Sequence, residues 1–147
     1  MRSSRKRRVR VVLDGNVWVS AIVWGGIPAR IVGAAEEGAI EILLSEEILV
    51  EINRILKYGR LRGIYEEAGV KREEIIAVLS RIGRFVDVTT KLDVVKEDPT
   101  DNAFIECAVD GRAGYLVSGD GHLLSIREYK NVKVVSAKDF IKVIEES

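Results

Sequence analysis

The stretch Arg8-Val9-Arg10-Val11-Val12-Leu13-Asp14-Gly15-Asn16 decides the fold. Its apolar positions alternate at first and then run unbroken to Leu13, the pattern of a central strand buried on both faces. A carboxylate, Asp14, stands where that strand runs out. Ala113-Gly114-Tyr115-Leu116-Val117-Ser118-Gly119-Asp120 repeats the arrangement and ends in Asp120. Open α/β sheets bind their ligands in the crevice outside the carboxyl ends of the strands. Acids placed twice at such ends are what a divalent-cation site would use. Each also has a plainer reading. Asp14-Gly15-Asn16 and Gly119-Asp120-Gly121 are ordinary turn compositions, and either Asp can cap the helix that follows.

Between these strands the periodicity is helical. Residues 17–24 and 28–37 read as helices, with Gly25-Gly26-Ile27-Pro28 as the break and Gly38 as a stop. Residues 40–44 form a short strand, after which Ser45 is a good N-cap with Glu46 and Glu47 in the favoured first turn. Ile48, Leu49, Ile52, Ile55 and Leu56 then make one apolar stripe. Helices are expected over 60–69 and 71–84, the latter burying Ile75, Ile76, Val78, Leu79 and Ile82. A third strand is expected over 85–88, then a polar loop, then a helix capped by Thr100 and running to Asp110. Strands over 114–118 and 132–135 follow, and Ser136-Ala137-Lys138-Asp139 has capping-box form before a final helix through Ile144. Alternating strands and helices predict a three-layer α/β/α sandwich around a mainly parallel sheet of about five strands.

At 147 residues the chain suits one compact domain. We expect a basic arm over residues 1–8, carrying Arg2, Arg5, Lys6, Arg7 and Arg8, and a single domain over 9–147. Hydrophobic residues make up 47% and charged residues 31%, a globular rather than disordered composition. No apolar run approaches the ~20 residues of a membrane span. The basic N-terminus lacks the apolar stretch of a signal peptide, so a cytoplasmic location is expected. The single Cys107 excludes an intramolecular disulfide. Formal net charge is zero, so bulk charge announces no nucleic-acid partner. Its distribution is more telling, because Arg54, Lys57, Arg60 and Arg62 cluster after Glu51.

Two further acids could join Asp14 and Asp120. Glu51 falls about 100° from the centre of the apolar stripe, at the rim of the buried face; the alternative is an exposed Glu paired with Arg54. Asp101 opens a helix and shares a side with Phe104, Ile105 and Ala108; the alternative is a first-turn Asp complementing the dipole. Asp98 is a candidate for the same role, whereas Glu106 lies well round the helix and is expected to be solvated. Hard cations such as Mg²⁺ and Mn²⁺ take oxygen ligands and share them with substrate phosphates. Carboxylates gathered without a cation repel one another, and burial raises their pKa values. Bound metal relieves this and can activate water against a phosphodiester.

Other chemistries lack their residues. His122 is the only histidine and Cys107 the only cysteine, which nearly excludes a zinc site. No GxxxxGK[ST] or GxGxxG occurs, and no nucleophile elbow precedes His122. Trp18 and Trp24 are expected in the core or on a dimer surface.

Taken together these segments resemble the PIN-domain family. Val11-Val12-Leu13-Asp14-Gly15-Asn16-Val17 is similar to its opening motif, and Leu44-Ser45-Glu46-Glu47-Ile48-Leu49-Val50-Glu51-Ile52 to its second. Asp98-Pro99-Thr100-Asp101-Asn102-Ala103-Phe104-Ile105-Glu106 is similar to the third, and Tyr115 through Leu124 to the fourth. The resemblance is nearest to the VapC-like toxins of toxin–antitoxin pairs. It implies a Mg²⁺- or Mn²⁺-dependent ribonuclease in which Asp14, Glu51, Asp101 and Asp120 are catalytic and hold the metal. Asn16 and Ser118 would steady those acids, and Arg54, Lys57 and Arg60 would contact RNA. A homodimer and an inhibitory antitoxin protein entering the acidic groove are also implied. One departure stands out: the family usually has Thr or Ser where this chain has Gly15, so a supporting hydroxyl is missing there.

Three readings follow. The first is a metal-dependent endoribonuclease. The second is a non-catalytic RNA- or protein-binding module with the same fold, motivated by Gly15. The third is a phosphohydrolase with Asp14 as covalent nucleophile; such enzymes carry a second Asp two residues on, where this chain has Asn16.

Overall fold

A computed structural model describes residues 8–96 and 98–146, so of the expected basic arm only Arg8 lies within the described residues. Strand β1 (Val9–Leu13) pairs in parallel with β2 (Ile40–Leu44) on one side and β4 (Tyr115–Val117) on the other. Beyond β2 lies β3 (Arg84–Phe85), and beyond β4 lies β6 (Val132–Val135), both parallel to their neighbours. A short β5 (Glu128–Tyr129) runs antiparallel along β6, giving six strands in the order β3-β2-β1-β4-β6-β5. Central placement explains the unbroken apolar run of β1: Val11, Val12 and Leu13 are wholly buried. The expected parallel α/β sandwich is present, with one strand more than foreseen.

The strand order fixes where a site can form. The chain moves outward from β1 to β2 and β3, then returns past β1 to lay down β4. The gap between β1 and β4 is therefore the topological switch point, where such sheets open a crevice. Asp14 N–H donates to Val117 O at 3.0 Å, so these two strands are zipped to their carboxyl ends.

Helix α1 (Gly15–Val19) passes into one π-helical turn, Ser20–Trp24, closed by Gly25 N–H on Ser20 O at 2.9 Å. Gly25 and Gly26, at φ of 85° and 69°, adopt a backbone that L-residues with side chains avoid, and the chain bends sharply there. Then come α2 (Gly26–Glu36), α3 (Glu46–Leu56), α4 (Gly59–Glu67) and α5 (Arg72–Ile82). After β3 the chain forms α6 (Asn102–Asp110), α7 (Gly121–Leu124) and α8 (Ala137–Glu145). Ser45 caps α3 by accepting Ile48 N–H, and Ser136 caps α8 by accepting Asp139 N–H, both as expected. Right-handed crossovers place α2 to α5 on one face and α6 on the other. In agreement, α2 packs on β2 and α8, while α6 packs along β1, β2 and β4. Trp18 is wholly buried, whereas Trp24 is 63% exposed. Among the described residues no single helix is long and apolar enough to cross a membrane.

The strand expected over 85–88 is shorter and earlier, and what replaces it depends on α6. Past Phe85 the chain leaves the sheet and runs as a strap without regular structure to Lys96. Its amides are satisfied by side chains instead. Asp110 accepts Thr89 N–H and Thr90 N–H, Glu106 accepts Leu92 N–H, and Asn102 accepts Val94 and Val95 N–H. These three acceptors stand at i, i+4 and i+8, one face of α6. Glu106 is thus buried under the strap rather than solvated: it does lie well round the helix from Asp101, but that side is covered. Asn102 also donates to Val95 O and Pro99 O, each at 3.1 Å, which ties the strap to the turn before α6.

Removing Asn102 leaves several buried backbone groups unpaired. Asn102→Ala is expected to destabilise the protein by about 3 kcal/mol in denaturant unfolding, with faster hydrogen exchange at Val94 and Val95. A loss below about 1 kcal/mol would mean the strap is held by other means.

Candidate metal centre

Asp14 is both the turn residue and the site residue of the sequence reading. It is 4% exposed. One carboxylate oxygen accepts Val17 N–H at 2.9 Å, capping α1, and the other accepts the Ser118 hydroxyl. Ser118 Oγ in turn accepts Asp120 N–H at 2.9 Å, and Asp120 caps α7 by accepting His122 N–H at 2.7 Å. One hydroxyl on β4 therefore links the two strand-end acids. Ser118 supports Asp14 as expected; Asn16 is exposed and is not among these partners. Burial raises the Asp14 pKa, the bonds from Ser118 and Val17 pull it back, and the charge of Asp120 adds to the rise.

Asp101 ends a short 3-10 turn, Pro99–Asp101, that leads into α6. Asp98 caps this turn by accepting Thr100 N–H at 3.2 Å and Thr100 Oγ1 at 2.6 Å, so Thr100 is a donor and not the expected cap. Asp101 is 8% exposed, and its Oδ2 is buried without a hydrogen-bond partner. Burial, then the charges of Asp98, Asp120, Asp14 and Glu51, push its carboxyl up to about 7. Asp14, Glu51, Asp98 and Asp120, all weighed for the site in the sequence, are felt at this one position.

Glu51 is turned toward a different cation. Arg54 Nε donates to its Oε1 at 2.9 Å and Nη2 donates to the other oxygen, so the ion pair weighed in the sequence reading is formed. Arg54 Nη1 also donates to Tyr58 Oη at 2.6 Å, and the guanidinium lies 5.7 Å from the Tyr58 ring centre. Of the three cations expected to contact RNA, Arg54 is occupied with this acid, while Lys57 and Arg60 are exposed. Among the described residues no three His, Cys, Asp or Glu side chains are already closed into a metal cage. Uncompensated carboxylates repel, and a neighbouring guanidinium is the nearest relief for Glu51.

The residues nonetheless fit a hard cation. The donors are all carboxylate oxygens, and the orphaned Asp101 Oδ2 is a buried acceptor awaiting a positive partner. Asp14, Asp101 and Asp120 would hold the ion, with Glu51 joining once it leaves Arg54. Bound there, a divalent ion supplies charge neutralisation and activation of water or phosphate oxygens.

Gly15 has a packing reason. A Cβ added there would lie 2.6 Å from Ile55 Cδ1 and 3.8 Å from Glu51 Cγ. The end of the Ile55 side chain thus occupies the space a Thr or Ser Cβ would take. Hydroxyl support for Asp14 comes from Ser118.

Burial and the surrounding carboxylates push the Asp101 carboxyl up to about 7, from 3.8 in the unfolded chain. Its contribution to stability is full below the unfolded value and is lost as pH rises through the folded one. Asp101→Asn keeps the shape without the charge. In chelator it is expected to raise the thermal midpoint near pH 8, by about 2–4 °C for each kcal/mol of repulsion relieved, and to change it little near pH 4. A lower midpoint for the variant near pH 8 would contradict the assignment.

Comparison with known proteins bears on the family and the fold. A family model described as "PIN domain" matches residues 10–122. The uncharacterized protein MJ1680 of Methanocaldococcus jannaschii is 29% identical, the match covering 99% of this chain and 97% of that protein. The crystal structure of PAE2754 from Pyrobaculum aerophilum superposes with a TM-score of 0.60 at 13% identity, over 95% of this chain and 91% of that one. At that identity the last likeness speaks for the fold alone. The sequence motifs, the switch-point acids and the family match converge: this chain belongs to the PIN-domain family and has its nuclease-type fold.

Proposed function

We propose that the protein is a Mg²⁺- or Mn²⁺-dependent endoribonuclease that hydrolyses RNA phosphodiester bonds at the Asp14–Asp101–Asp120 crevice. The observation that carries this reading is Asp101, buried, unpartnered and surrounded by the charges of Asp98, Asp120, Asp14 and Glu51. Carboxylates pressed together in this way are unfavourable unless a cation is part of the design. Asp14 is fixed at two oxygens and anchors the set, while Glu51 would exchange Arg54 for the ion. Lys57 and Arg60, with Arg54 once it is freed, would hold the RNA backbone and make binding salt-sensitive.

The nearest resemblance adds the biological setting. We assign the protein as the toxin of a toxin–antitoxin pair, cytoplasmic, a homodimer, and silenced by an antitoxin protein reaching the acidic crevice. Exposed Trp24 and Ile27 are the apolar residues we would place at the dimer contact. A short adjacent reading frame whose product blocks cleavage would support the pairing, and a monomer in light scattering would refute the dimer.

The second reading is a PIN-fold module that binds RNA or protein without cutting it. The ion pair between Glu51 and Arg54 favours it, since it occupies one of the four acids. One experiment separates the two. Purified protein given Mn²⁺ or Mg²⁺ is expected to cleave RNA. Asp14→Asn should fall to the background seen in chelator, and Ser118→Ala should lose about 10- to 100-fold. Cleavage that survives in Asp14→Asn or in chelator would sink the nuclease reading; RNA binding without any cleavage would establish the second.

A further inference from the structure

We propose that Arg54, held between Glu51 and Tyr58, is an exchangeable counter-ion that couples cation uptake to RNA binding. The inference rests on the ribonuclease reading and adds to it Tyr58 and a linkage between the two ligands. Helical spacing builds the device. Residues 51, 54 and 58 follow one another at i, i+3 and i+7, so they stand along one side of α3 and its end. Tyr58 is placed where the chain leaves α3 and enters α4.

Glu51 belongs to the crevice rather than to the open surface. Its side chain is 14% exposed, against 52% for Arg54. Its Cγ passes 3.8 Å from where a Cβ on Gly15 would stand, one residue beyond Asp14. Its charge is felt at Asp101, whose buried Oδ2 has no partner among the described residues. The acid therefore faces inward, and the guanidinium closes it from the solvent side. Arg54 takes both carboxylate oxygens, with Nε on one and Nη2 on the other. A guanidinium fork and a divalent cation seek the same oxygens, so each weakens the hold of the other.

Tyr58 gives the released arginine a place. Its Oη accepts Arg54 Nη1 at 2.6 Å, and its ring centre lies 5.7 Å from the guanidinium carbon. Neither contact involves Glu51. When Glu51 turns to a cation, Arg54 gives up two hydrogen bonds and keeps both contacts with Tyr58. The freed Nε–H and Nη2–H form the edge of a planar fork that matches two oxygens of one phosphate. Tyr58, 53% exposed, holds that fork at the rim of the crevice. A phosphate that engages Arg54 in turn releases Glu51. By linkage, each ligand then raises the affinity for the other by the same factor.

The test uses the full chain with Mn²⁺, read as free ion by electron paramagnetic resonance, and a phosphorothioate-linked RNA that resists hydrolysis. Wild type is expected to bind this RNA more tightly once Mn²⁺ is saturating, by a factor that Arg54→Met reduces about fivefold. Without RNA, Arg54→Met should bind Mn²⁺ about fivefold more tightly than wild type, because Glu51 is then unpaired. Tyr58→Phe keeps the ring and loses the hydroxyl. It should leave Mn²⁺ affinity without RNA within about twofold and weaken RNA binding in Mn²⁺ by about threefold. A pair that serves only the helix would move the thermal midpoint and not the linkage. Full linkage in Arg54→Met, Mn²⁺ affinity unchanged or weaker in that variant, unchanged RNA binding by Tyr58→Phe, or no Mn²⁺ binding by wild type and Arg54→Met alike would each overturn the proposal. A wild type that shows the linkage but never cleaves unmodified RNA refutes only the nuclease reading; one that cleaves while Arg54→Met keeps the full linkage refutes only this inference.

Discussion

The hydrogen bond from Ser118 to Asp14 joins the two halves of the sheet where their direction reverses. β1 is laid down first and β4 last among the central strands, and everything between them is chain that goes out and comes back. The Ser118 hydroxyl donates to Asp14 and accepts from the Asp120 backbone, so it fixes both strand-end acids with one group. A buried carboxylate without such a donor would favour its protonated form more strongly. Fold and site thus share a single contact. Asp14 meets β4 twice, through its backbone N–H on Val117 O and its carboxylate on Ser118.

Helix α6 extends this logic across the molecule. It begins at Asp101 among the acids and ends at Gly111 and Arg112 beside Arg10. Its nine residues span about 14 Å. The helix dipole suits both ends, positive toward the carboxylates and negative toward the guanidiniums. The same helix holds the strap through Asn102, Glu106 and Asp110, so the turn bearing Asp98 and Asp101 is positioned from behind as well as from its own cap.

Much of this was legible in the sequence because it rests on local rules. The unbroken apolar run of β1, the serine caps at Ser45 and Ser136, and the glycine break at Gly25-Gly26 each reflect short-range sterics or capping. Asp14 and Asp120 were legible because they follow buried strands. What escaped depended on long-range covering. Glu106 looks solvated on a helical wheel, and only the strap folding back over it makes it buried. The hairpin of β5 and β6 was missed because its turn is Lys130-Asn131, both at positive φ, in place of a glycine-bearing signal. Gly15 reads as a lost hydroxyl in one dimension; in three it is the gap that Ile55 fills. The capture of Glu51 by Arg54 was visible as a pairing but not as a contest with the other acids.

That contest decides whether the crevice is a cation site. The measurement is a crystal structure with Mn²⁺ bound, read by anomalous scattering. A peak bounded by Asp14, Asp101 and Asp120 is expected, with Glu51 turned off Arg54 and toward the metal. A crevice without a peak, with Glu51 still clasped by Arg54, would contradict it.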